Sequence, residues 1–393
     1  MQLTDFLNHH GITLDQIIAQ IKTTLNLTPD DSLFVSGSVV EGLGNEKSDL
    51  DLFLVTSRQD IPLTSLDAVL LITGRCPVDV RVVQRSEVEQ LLNRFNAWAK
   101  QARCPRNATG FSPDERKLLH QIRSGQAVCG AEYFRQLQDG IQLTDLVRHR
   151  LDCAQYLAST IQVDLAGLRS AGDQHSMLFA AQELLGLTVD ALLAAYNHSN
   201  PDWKWRVRQL TDLTADWERK LPGRRSGMSA RDLYLSLHSA PRRGNPNAIL
   251  KHALRIAAFS RRVFPWAEYR LLSSNLPPLP SSQGGAEGGA GTGRTLPNLD
   301  LDVTVRYRHE KFEVLRLNGD GQIFCLSPNE YSLLCLFDGE TTKEYALSAA
   351  GMTCKESGSE FLEEMLALIR YGDFEAQEIL DEKALSTILR IEL

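Results

Sequence analysis

The segment from Phe34 to Val55 constrains this chain more than any other. Phe34-Val35-Ser36-Gly37-Ser38 runs into a glycine-containing stretch through Gly42 and Gly44, and then into Ser48-Asp49-Leu50-Asp51-Leu52-Phe53-Leu54-Val55. Asp49 and Asp51 are two residues apart in an apolar run that reads as a strand, so both side chains leave one face and converge on one volume. Two carboxylates aimed together repel unless a cation lies between them. Hard oxygen ligands of this kind suit Mg2+, which keeps some of its waters and also takes oxygens from substrate phosphates. Upstream, Leu33 to Ser36 reads as a strand that gives way at Gly37-Ser38 to a turn and a short helix. Such a junction offers backbone N–H groups, a hydroxyl and the positive end of a helix to an anion. Phosphate on one side and metal-binding carboxylates on the other describe a nucleoside triphosphate site.

Gly37-Ser38, the spacer and Ser48-Asp49-Leu50-Asp51 together resemble the signature of the DNA polymerase β-like nucleotidyltransferase superfamily, a Gly-Ser pair, about ten residues, then Asp-x-Asp on a strand. The resemblance covers residues 30–85 and implies a third carboxylate on a neighbouring strand. Pro77-Val78-Asp79-Val80-Arg81-Val82-Val83 supplies one: Asp79 sits in a run of β-branched residues, with Arg81 on its face. By the same resemblance, Asp49, Asp51 and Asp79 hold Mg2+, Asp79 helps deprotonate an acceptor, and Gly37 with Ser38 cradles the β and γ phosphates. The reaction implied is transfer of a nucleoside monophosphate from a nucleoside triphosphate to an acceptor, with release of pyrophosphate.

Other phosphate motifs are excluded. Gly37 and Gly42 have the spacing of P-loop glycines, but Leu43-Gly44 stands where Lys-Ser/Thr is required. Gly289-Ala290-Gly291-Thr292-Gly293 lies in a Pro/Gly/Ser tract with no strand before it, so it is no dinucleotide fingerprint.

At 393 residues and 43% hydrophobic content the chain is long enough for two or three domains. The first residues lack the basic region and apolar core of a signal peptide, and no stretch reads as a membrane span, so a soluble, cytoplasmic protein is expected. Seven cysteines, dispersed and never in Cys-x-x-Cys spacing, indicate reduced thiols, mostly core, and neither disulfides nor zinc. The net charge of −7 argues against strong binding of duplex nucleic acid.

Residues 1–110 read as an α/β nucleotidyltransferase sheet: an amphipathic helix from Leu14 to Leu25, strands at Leu33–Ser36, Asp49–Val55 and Val78–Val83, and a helix from Glu87 to about Lys100. Residues 111–275 read as an α-helical domain that opens on the capped start Ser112-Pro113-Asp114-Glu115. Leu143–Ile161 and Met177–Tyr196 follow at helical spacing, the second rich enough in Ala and Leu to be the buried centre of a bundle. Asn200-Pro201 breaks that helix and starts another near Lys204. In nucleotidyltransferases with a helical second domain, basic residues from the helices meet the triphosphate, and the resemblance makes Lys204 the candidate.

Trp203-Lys204-Trp205-Arg206-Val207-Arg208, with Arg224-Arg225 and Arg242-Arg243 nearby in sequence, is either a solvated face with its aromatics packed inward or a phosphate contact. Residues 276–297 form a flexible linker by composition. Residues 298–393 read as a small α+β domain, with strands at Val303–Leu317 and Gln322–Leu326 joined by the turn Asn318-Gly319-Asp320-Gly321. Its segment from Leu326 to Thr342 resembles PqqD-like peptide-binding domains; a winged-helix or other interaction module is the alternative. A peptide bound there would add as a strand to the hairpin edge. The acceptor stays open among a small molecule or biosynthetic intermediate, a nucleotide and a peptide. A non-catalytic peptide- or protein-binding module built on the same fold is the alternative to an enzyme.

Overall fold

A computed structural model describes residues 1–61, 68–73, 76–214, 217–223, 226–241, 246–272, 298–317 and 323–341. The linker 276–297, the turn at 318–321, Arg224, Arg225, Arg242, Arg243, Thr342 and Cys354 lie outside the described residues. The chain divides into two units, one of Met1–His149 with Ser199–Trp205 and the other of Arg150–His198 with Arg206–Leu393.

Helices α1 (Leu3–His10) and α2 (Leu14–Leu25) open the first unit. A capping box starts α2, with the Thr13 hydroxyl accepting from the Gln16 N–H and the Gln16 side chain accepting from the Thr13 N–H. Strands β1 (Ser32–Ser36), β2 (Leu50–Thr56), β3 (Ala68–Thr73), β4 (Cys76–Gln84) and β5 (Gln126–Cys129) form one mixed sheet in the order β3-β4-β2-β1-β5. Only β2 and β4 run parallel, joined through the antiparallel β3. Alternation divides the two faces. Leu50, Leu52, Leu54, Val78, Val80 and Val82 pack with Phe6, Ile17 and Ile21 of the two opening helices in one buried core. Phe34 and Phe53, on the opposite face, stack on each other at 5.0 Å, and Phe34 stacks on Phe134 at 4.5 Å. That second face also meets α3 (Arg85–Ala99), α5 (Pro113–Ser124) and α6 (Ala131–Asp139); α4 (Pro105–Ala108) is a single turn between the first two.

The helix α7 (Leu143–Ala171) begins in the first unit and continues in the second. In the second unit α8 (Gln174–Ala195) packs along α11 (Pro246–Leu272), with the short α9 (Arg206–Thr211) and α10 (Ala230–His238) beside α8. No membrane span is expected from the sequence, yet α8 is long and apolar enough to cross a membrane by length and composition; 67% of its most apolar 18 residues is buried within the structure. Asp190, buried in α8, is held by Arg150 at 2.8 Å and Arg206 at 2.6 Å, which keep its carboxyl ionised against the cost of burial. The antiparallel strands β6 (Val303–Arg308), β7 (Lys311–Arg316) and β8 (Ile323–Leu326) precede α12 (Pro328–Leu334), and β6 packs on α11. Buried Arg261 of α11 donates to the carbonyls of Leu299, Asp300 and Val303. Glu268 accepts from the Tyr307 N–H, and the Tyr331 hydroxyl donates to the carbonyls of Arg261 and Arg262.

Six cysteines are free in the described residues; Cys76, Cys153 and Cys335 are buried, while Cys104 and Cys325 are exposed, so the thiols are less uniformly core than expected.

Candidate active site

The parallel register of β2 on β4 sets Asp51 beside Asp79, and the antiparallel register of β1 on β2 sets Ser36 beside Asp51. Three neighbouring strands therefore deliver Ser36, Asp51 and Asp79 in a row across the sheet. Asp49 directly precedes β2 and falls on the same side by alternation. One carboxylate oxygen from each of Asp49, Asp51 and Asp79 lies within 4.8 Å of the other two, with Asp49 exposed and the others half-buried. At that separation two ionised carboxylates repel by ~3 kcal/mol at an effective dielectric of about 20. Burial first, then the charges of Asp49 and Asp79, push Asp51 up to about 6, while the ammonium groups of Lys117 and Lys204 act against the shift. Burial and Asp49 also raise Asp79, with Arg81 and Lys117 opposing. Three hard oxygen donors this close, with Asp51 and Asp79 both pushed above the ordinary carboxylate range, fit a divalent cation such as Mg2+, whose charge would offset their repulsion.

Gly37 follows the Ser36 position in that row. Its φ of +82° is one that L side chains rarely adopt, and a Cβ there would fall 2.0 Å from Asp51 Oδ2. The carboxylate thus occupies the space that a side chain at Gly37 would fill. The short helix expected after Gly37-Ser38 is instead a series of hydrogen-bonded turns, in which Glu41 N–H donates to the Gly37 carbonyl and both Leu43 and Gly44 N–H donate to the Ser38 carbonyl. Gly42, at a left-handed φ of +76°, lets the chain double back there. No hydrogen bond of the Ser38 hydroxyl occurs among the described residues, which leaves it open to a ligand.

Lys204 belongs to the first unit, in a single 3₁₀ turn (Trp203–Trp205), and its field reaches Asp51. Its Nζ lies 3.5 Å from Asp202 Oδ2. Trp203 is 72% exposed, so the aromatics of this stretch are not all packed inward. Lys117, on α5, is a second cation facing the carboxylates. Three more groups assemble nearby. Glu41 of the glycine turn approaches His120 of α5 at 3.0 Å and accepts from Asn200 at 2.9 Å.

Among solved structures, the chain is similar to a nucleotidyltransferase-like protein from Exiguobacterium sibiricum 255-15, with 12% sequence identity over 67% of this chain and 76% of that one and a TM-score of 0.34. No family model matches the chain, and no curated protein matches it.

Proposed function

We propose that this chain is a metal-dependent nucleotidyltransferase. The observation that carries the reading is the cluster of Asp49, Asp51 and Asp79, set side by side by strand register with a glycine making room for the middle carboxylate. An oxygen of the acceptor attacks the α-phosphorus of a nucleoside triphosphate; the new O–P bond forms as the bond to the β-phosphate oxygen breaks, and pyrophosphate leaves. Mg2+ bound by the three carboxylates would neutralise phosphate charge and lower the acceptor's pKa. Asp79 takes the acceptor's proton. The Ser38 hydroxyl donates to the departing phosphates, and Lys117 and Lys204 balance their charge. The acceptor is a nucleotide, a small molecule or a peptide.

Incubation with each labelled nucleoside triphosphate and Mg2+, with and without cell extract, tests the reading by pyrophosphate release. Asp49→Asn and Asp51→Asn should each abolish it, and Ser38→Ala should raise KM more than it lowers kcat. Wild-type turnover in either aspartate variant would remove these residues from the chemistry.

A further inference from the structure

His120 is 6% exposed, yet it touches two distant parts of the chain through its two ring nitrogens. Nδ1 lies 3.0 Å from Ser199 Oγ. Nε2 lies 3.0 Å from Glu41 Oε2, an ion-pair approach that is not aligned as a hydrogen bond. Asn200, 7% exposed, donates to that same Glu41 oxygen, and its own Oδ1 accepts from the Asp202 N–H at 2.9 Å. Asp202 in turn accepts from the Lys204 N–H at 3.3 Å. A continuous line of polar contacts therefore runs from the glycine turn to Lys204, while His120 stands one helical turn beyond Lys117 on α5.

Ser199–Trp205 belongs to the first unit, although the chain on both sides of it belongs to the second. The side-chain contacts that Ser199 and Asn200 make, to His120 and Glu41, are both within the first unit. We propose that Glu41, His120 and Asn200 are positioning residues that fix Ser38, Lys117 and Lys204 as one anion-binding array, and so set affinity for the triphosphate rather than for the metal. This rests on the nucleotide reading above. The carboxylates of β2 and β4 are held by the sheet and need no such support.

Calorimetry on the full chain separates the two affinities, with Mn2+ alone as one probe and Mg2+-tripolyphosphate as the other. Glu41→Gln and His120→Phe, the latter filling the buried volume, should raise the tripolyphosphate Kd about tenfold and leave Mn2+ affinity unchanged. His120→Gln, which keeps a donor and an acceptor, should recover part of the loss. Ser199→Ala, a smaller change at a half-buried position, should cost about fivefold and serves if the other variants do not fold. Wild-type tripolyphosphate affinity in the folded variants overturns the proposal, as does equal weakening of both probes. Failure of the wild type to bind either probe overturns the nucleotide reading itself.

Discussion

Gly37 and Asp51 are coupled more tightly than sequence spacing suggests, because the side chain one lacks is the room the other uses. Gly37→Ala should therefore destabilise the protein by more than about 1 kcal/mol through its left-handed φ alone, and should also displace Asp51. Thermal melting together with Mn2+ titration checks both effects; a variant that melts normally and binds metal normally would contradict the packing. Asp51 gives the pH prediction. Its pKa is raised from 3.8 to about 6 on folding, so without metal the native state holds a proton that the unfolded chain has released, and stability falls as pH rises through that window. Asp51→Asn removes the effect. The variant should gain about 1–3 kcal/mol over wild type at pH 7 in chelator, and the gain should vanish below about pH 4. Added Mg2+ should reverse the order, since only the wild type then recovers stability from the bound cation.

Among the helices, α5 does the most for the site, because it carries both Lys117 and His120. Ser112 and Glu115 form a capping box at its start, with Pro113 in the first turn. Ser112→Ala should cost about 0.5–2 kcal/mol in chemical denaturation. That cap was legible in the sequence since it is made of neighbours, as were the three strands that carry the aspartates and the glycine. The pairing of Asp51 with Asp79 was reached only through a resemblance, because register between strands joined by a long connection leaves no local trace. Asp49 falls just ahead of its strand, yet alternation still puts it on the right side. β3 and β5 went unread: β5 is four residues long, and β3 is a short continuous apolar run, Ala68 to Ile72, without the alternation that marks a half-buried strand. Lys117, Glu41 and His120 gave no signal, because a charge on an amphipathic helix or in a turn ordinarily faces water. His120 and Ser199 are 79 residues apart, so no window on the sequence contains both.

At the scale of the molecule, composition suggested that residues 298–393 hang from a tether, and truncation is the measurement that decides how independent they are. Arg261 is 4% exposed and donates only to carbonyls beyond residue 297 in the contacts above; Tyr331 caps two carbonyls of α11 from the other side. Deleting 298–393 should strip Arg261 of these acceptors and bare the face of α11 that β6 and Tyr331 cover, and the protein should aggregate or lose exchange protection along α11. A monomeric product with α11 protected would show that the segment is dispensable for folding. The return of the chain to the first unit at Ser199–Trp205 also has a consequence for synthesis. A nascent chain that has emerged only as far as His149 already holds every carboxylate of the cluster, mutually repelling and able to attract a cation, but neither Asn200 nor Lys204. The ribosome must extend it through Arg150–His198 before the anion side is complete, so on the nucleotidyltransferase reading proposed above metal capture precedes nucleotide capture during translation by the time those residues take to make.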